Sequence, residues 1–97
     1  MKRDAVLTTL RSHEAELKRL GVGHLYLFGS VARDEATPES DVDLFFDYNN
    51  PKFSLFDLIG IKERVSDMLR TKADVMTRGS LHPVLKDDIE QSALCVF

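Results

Sequence analysis

His24-Leu25-Tyr26-Leu27-Phe28-Gly29-Ser30-Val31-Ala32-Arg33, followed after a polar loop by Ser40-Asp41-Val42-Asp43-Leu44-Phe45-Phe46, is the stretch that decides the fold. His24 to Phe28 is apolar and aromatic and sits between Gly23 and Gly29, which marks a short strand. Ser30 to Asp34 reads as a helical turn with Ser30 as its N-cap. Glu35 to Ser40, containing Pro38, reads as a loop. Val42 to Phe46 is the next strand, broken after by Asn49-Asn50-Pro51. Side chains alternate along a strand, so Asp41 and Asp43 point one way while Val42, Leu44 and Phe46 supply packing on the other face.

Working outward, Val6, Leu10, Leu17 and Leu20 recur at helical spacing and predict an amphipathic helix over Asp4 to Leu20, stopped by Gly21. His13 falls on that stripe and reads as a partly buried, hydrogen-bonded histidine. Ser54 caps a second long helix running to Arg70, with Leu55, Leu58, Ile59, Val65 and Leu69 as its buried stripe. Ala73 to Met76 is a third short strand. Pro83 opens a last helix with Leu85 and Ile89 facing inward, and the apolar Ala93 to Phe97 is a final strand or a docking tail. This alternation predicts an α/β (α+β) fold, a small mixed or parallel sheet with covering helices.

At 97 residues there is room for one domain, spanning 1–97. The composition, 43% hydrophobic and 30% charged, is that of a globular chain and argues against disorder. No apolar run approaches the roughly 18 residues a membrane helix needs, and the start lacks the apolar core of a signal peptide. A single cysteine, Cys95, excludes an intrachain disulfide and suits a reducing, cytoplasmic setting. The net charge of -3 argues against broad nucleic-acid binding, which depends on Lys and Arg neutralising phosphates.

Asp41 and Asp43 lie about 7 Å apart at the backbone on one face, from the rise per strand residue, and repel each other unless a cation sits between them. Oxygen ligands of this type suit Mg²⁺ or Mn²⁺. Two such ions roughly 4 Å apart can hold the attacking and leaving oxygens of a phosphoryl displacement. Gly29 lets backbone approach a ligand closely, and N–H groups at the turn, with the Ser30 hydroxyl, point to anionic oxygens. Arg33 can reach a phosphate or pair with Asp34 or Glu35, the exposed or structural role being favoured. Asp47, Asp57, Asp67, Asp87 and Asp88 read as solvated acids on loops or helix surfaces. His24 is assigned to a strand start and His82 to the turn before Pro83.

Gly-Ser, ten residues, then Asp-x-Asp resembles the signature of the DNA polymerase beta-like nucleotidyltransferase superfamily. The runs Leu27 to Arg33 and Ser40 to Leu44 look like its minimal nucleotidyltransferase (MNT) branch. The resemblance implies the polymerase beta-like fold and a third carboxylate on a neighbouring strand, for which Asp74 in Lys72-Ala73-Asp74-Val75-Met76 is the candidate. It implies two divalent ions held by Asp41, Asp43 and Asp74, with ATP across the Gly29-Ser30 turn. It also implies a partner. Small stand-alone MNT proteins are typically antitoxins of HEPN-domain ribonuclease toxins, and some transfer AMP to a toxin tyrosine. The terminal Leu94 to Phe97 is a candidate contact region, with core packing as its alternative. Two other readings stay open: an antitoxin that only occludes its partner, and a small-molecule (aminoglycoside-type) nucleotidyltransferase with a separate substrate subunit.

Overall fold

The computed structural model describes residues 2–97. Its order is α1 (Arg3–Ser12), α2 (Glu14–Arg19), β1 (Val22–Phe28), α3 (Gly29–Ala32), β2 (Val42–Tyr48), α4 (Leu55–Leu69), β3 (Ala73–Thr77), a 3-10 turn (Arg78–Ser80), α5 (Lys86–Ser92) and β4 (Leu94–Cys95). The four strands form one mixed sheet in the order β3-β2-β1-β4. β1 is antiparallel to both β2 and β4, whereas β2 and β3 are parallel and joined through α4. A parallel neighbour needs such a crossover, because the chain must return to the same end of the sheet. The expected mixed sheet with covering helices is therefore present.

One face of the sheet is covered by α1, α2 and α4. Leu27 of β1 and Val42, Leu44 and Phe46 of β2 meet Val6 and Leu10 of α1, Leu17 of α2 and Val65 of α4 in one core, each fully buried. The other face carries Tyr26 and Phe28 of β1 and Phe45 of β2. Tyr26 stacks on Phe45 with ring centroids 4.8 Å apart. The Arg78 guanidinium lies 4.9 Å from the Tyr26 centroid and 5.1 Å from that of Phe45, a cation–π arrangement that buries Phe45 outside the main core. Among the described residues, no helix is long and apolar enough to cross a membrane.

Several local expectations are corrected. The N-terminal helix is interrupted at His13. The Thr9 carbonyl accepts from Ser12 Oγ at 2.6 Å and contacts His13 Nδ1 at 2.8 Å, while the His13 N–H turns to Leu10. Side chains that bond back to the preceding turn compete with the helical ladder in this way. His13 is nonetheless half-buried and bonded, as expected. Leu20 falls in the turn after α2 and is 40% exposed. The turn after β1 opens at Gly29 rather than after a Ser30 cap, because the positive φ of Gly29 (77°) bends the chain at the strand end itself. β2 runs on past Phe46, stabilised by Tyr48 stacking on Phe53 at 4.9 Å, so Asp47 is a strand residue and not a loop acid.

Ser54 caps α4 as expected, in a reciprocal box with Asp57. The buried stripe of that helix, however, is Ile61, Val65 and Leu69, with Leu58 partly buried. Leu55 and Ile59 are exposed, as is Phe56 at 85%, because the helix turns the Ile61, Val65 and Leu69 side to the core and these residues lie off it. Pro83 stands in a turn closed by Leu85 N–H donating to the His82 carbonyl at 2.9 Å, so α5 begins only at Lys86 and Leu85 is half exposed. The apolar C-terminus is the edge strand β4. Val96 is buried, and its carbonyl accepts from Arg11 Nε at 2.8 Å, so core packing accounts for this segment.

These positions separate two apolar residues of similar type. Leu44→Ala should cost about 3 kcal/mol by urea denaturation, a large share of a small domain's stability. Phe56→Ala should change it by less than about 0.5 kcal/mol. Equal losses from the two would contradict the packing described.

Candidate active site

The central strand β2 brings the acids together through its two neighbours. On one side Asp43 is paired with Phe28, so the chain turns at Gly29 directly beside the Asp43 side chain. On the other side Asp43 is paired with Asp74 of parallel β3. One step earlier, the Val42 N–H donates to the Lys72 carbonyl at 3.1 Å, which sets Lys72 beside Asp41. Alternation then places Asp41 and Asp43, with Lys72 and Asp74 next to them, on the face opposite the helical core. The result is a two-by-two array of three carboxylates and one ammonium. Adjacent strands put neighbours across the array roughly 5 Å apart at the backbone.

Gly29 is required by this arrangement. A Cβ added there would collide with Asp43 Oδ2 and stand 3.1 Å from its Cγ. Its φ of 77° also lies where L side chains are strained. Ser30, the next residue, is half-exposed, and the first N–H groups of α3 have no intrahelical acceptor.

The electrostatics follow from this crowding. Asp43 is half-buried, and its carboxyl is held above the usual carboxylate range, first by desolvation, then by the charges of Asp74 and Asp41, with Arg33 opposing. Arg33 itself is exposed and pairs with Glu35, Nε to Oε2 at 3.1 Å. Its pairing role is thus the one observed. Lys72 Nζ stands 3.6 Å from Asp41 Oδ2. Asp74 is exposed. Among the described residues, no three His, Cys, Asp or Glu side chains are gathered as a ready cation cage. The donor chemistry nevertheless fits divalent cations. The residues are neighbouring carboxylates in which burial first, and mutual repulsion second, raise the proton affinity of the middle one, and a cation relieves that repulsion.

Two groups on the open face escaped the sequence reading. Arg78 grips both oxygens of Asp47 at 2.7 and 3.0 Å and reaches Glu90 Oε2 at 2.7 Å. It is held protonated more firmly than a free arginine, chiefly by Asp47. Nothing in the local pattern pointed to it. Lys72 could have been found, since it lies two residues before Asp74 and alternation puts both on one face. A groove of about 450 Å³ between α2 and α4, bordered by Leu20, Phe56, Gly60 and Arg64, sits on the helical side of the sheet.

A small mixed sheet with a Gly-Ser turn beside acids on adjoining strands is the arrangement expected of the polymerase beta-like nucleotidyltransferase fold. Residues 10–96 match the family model described as nucleotidyltransferase domain, and the chain belongs to that family. It is 40% identical over 89 residues to a Methanocaldococcus jannaschii protein that carries the provisional name protein adenylyltransferase, covering 90% of each chain. Its fold superposes with a TM-score of 0.82 on a structure described provisionally as a minimal nucleotidyltransferase, at 28% identity and with 97% of this chain and 95% of that one covered. A complex of an MNT antitoxin with a tri-AMPylated HEPN toxin from Shewanella oneidensis has a chain that matches with a TM-score of 0.59 at 15% identity, over 88% of this chain and 69% of that one. That last likeness concerns the fold.

Gly29→Ala should lower the nucleotidyl transfer rate on the order of 100-fold, the cost of displacing a reacting group by about an ångström, while circular dichroism shows a folded chain. A wild-type rate would show that Asp43 need not lie against Gly29.

The raised proton affinity of Asp43 has a defined sign. The native state binds that proton more readily than the unfolded chain, so ionised Asp43 carries a stability penalty that is fully present above its folded pKa. The penalty shrinks as pH falls through that value. In metal-free buffer at neutral pH, Asp43→Asn should therefore melt above the wild type. The gap should close on acidification or on adding Mg²⁺. A lower melting temperature for the variant in metal-free buffer would contradict the crowding described.

Proposed function

We propose that this nucleotidyltransferase transfers AMP from ATP to a hydroxyl of a partner protein, a tyrosine of a HEPN-domain ribonuclease toxin, and thereby acts as an antitoxin. The observation that carries the reading is the seating of Asp43 against Gly29 and beside Asp74, which joins a phosphate-approaching turn to a carboxylate cluster. The name of the Methanocaldococcus relative and the antitoxin–toxin pairing of the Shewanella complex support the protein acceptor. The exposed Leu55, Phe56 and Ile59 support it too, since apolar residues grouped on a surface mark contact sites more often than solvent faces.

In this reading Asp41, Asp43 and Asp74 hold divalent cations, Mg²⁺ or Mn²⁺. Such ions, when bound, supply positive charge against the phosphate oxygens. Gly29 and Ser30 orient the triphosphate through the turn's N–H groups and hydroxyl. Asp74, the most exposed of the three acids, would help take up the proton of an acceptor hydroxyl as that oxygen bonds to the α-phosphorus, while the bond from the α-phosphorus to the α,β-bridging oxygen breaks and pyrophosphate leaves. Catalysis consists mainly of positioning and charge neutralisation, and no histidine is needed. His24 is exposed and rests near the Phe97 carbonyl at 3.4 Å, and His82 Nδ1 accepts from the Val84 N–H at 3.2 Å.

Labelled ATP, Mg²⁺ and the HEPN partner, incubated with the purified chain, should label the partner. The label should fall to background with Asp41→Asn plus Asp43→Asn. Equal labelling by the double variant, or none by the wild type, would remove the catalytic reading, and neutralisation of toxicity that survives the double variant would favour occlusion. Phe56→Glu should weaken co-purification with the partner at least ten-fold without lowering the melting temperature.

A further inference from the structure

Lys72 stands at the fourth corner of the carboxylate array, and its backbone puts it there. Its carbonyl accepts from the N–H of Val42, the residue between Asp41 and Asp43, so Lys72 lies beside Asp41 as Asp74 lies beside Asp43. Its ammonium is 3.6 Å from Asp41 Oδ2, yet the side chain is 75% exposed and that of Asp41 41% exposed. An ion pair this open and this long is weakly held. A lysine stem can also swing its charge aside without any backbone movement, because the ammonium is a point charge on four flexible carbons. The one cation in the array is therefore the easiest member to displace, and it rests on the same oxygens that a divalent ion would take.

We propose that Lys72 is an exchangeable counter-ion: it neutralises Asp41 while no divalent cation is held and competes with that cation for the Asp41 carboxylate, setting the concentration at which the site loads. This rests on the reading of Asp41, Asp43 and Asp74 as cation ligands. The Lys72 side chain is a positioning group in this role. It acts on the cation through Asp41 and does not touch the reacting atoms.

Mn²⁺ binding to the full chain, followed without nucleotide by the electron paramagnetic resonance of the free ion, tests the inference directly. Lys72→Met should bind Mn²⁺ about two- to five-fold tighter than the wild type, the range that releasing an exposed ion pair allows. Lys72→Arg, which keeps the charge, should bind no tighter than the wild type. Lys62→Met removes one exposed charge from the outer side of α4 and serves as the control for net charge. Lys72→Met binding no tighter than Lys62→Met would overturn the exchange, even with the carboxylate site intact. Should the wild type bind Mn²⁺ no better than Asp41→Asn plus Asp43→Asn, the ligand reading itself falls, and the exchange with it.

Discussion

The Asp43 carboxylate occupies the volume that a side chain on Gly29 would fill, with Asp74 across the strand and Asp41 two residues before. Much of the molecule is the means of keeping it there. Burial and two like charges oppose its ionisation, so the position survives only because the opposite face of β2 is committed elsewhere. Val42, Leu44 and Phe46 are fully buried among the helices. A slip of one residue would put the acids into that core and the apolar groups into water. Hydrophobic alternation thus holds in place a cluster that electrostatics alone would disperse.

The two faces of the sheet divide the labour. The helical face carries the apolar burial on which stability depends. The open face has a braced half and an accessible half. Arg78, fixed by Asp47 and Glu90, lies over Tyr26 and Phe45 and ties the 3-10 turn and α5 to the sheet. Replacing its fork with a lysine would keep the charge and lose the bidentate grip. Beyond Phe45 the same face reaches Asp43, Asp41 and the Gly29 turn, where no such brace intervenes. A rigid platform beside an open acidic edge suits nucleotidyl transfer, a reaction that depends on holding its reactants in place.

The outer surface of α4 shows a second economy. Its capping box and its Ile61, Val65 and Leu69 stripe suffice to dock the helix. Leu55, Phe56 and Ile59 are thereby left to solvent, with Phe56 at the border of the groove of about 450 Å³. Helical periodicity does not distinguish apolar residues that face the core from those left at the surface, which is why Leu55 and Ile59 read as buried in the sequence.

What could be read from the chain was whatever depends on near neighbours. The strand and turn around Gly29, the shared face of Asp41 and Asp43, the cap at Ser54 and the breaks at Gly21 and Pro51 follow from alternation, helical spacing and backbone freedom. The same logic placed Asp74 on its face, though only a family resemblance made it a partner of the other two. Folding decided what depends on strands meeting across long separations. Asp43 faces Gly29 on one side and Asp74 on the other, Lys72 rests on Asp41, and Arg78 bridges Asp47 and Glu90. Those contacts arise from the register of one antiparallel and one parallel pairing, and register belongs to the sheet as a whole and to no single segment of the chain.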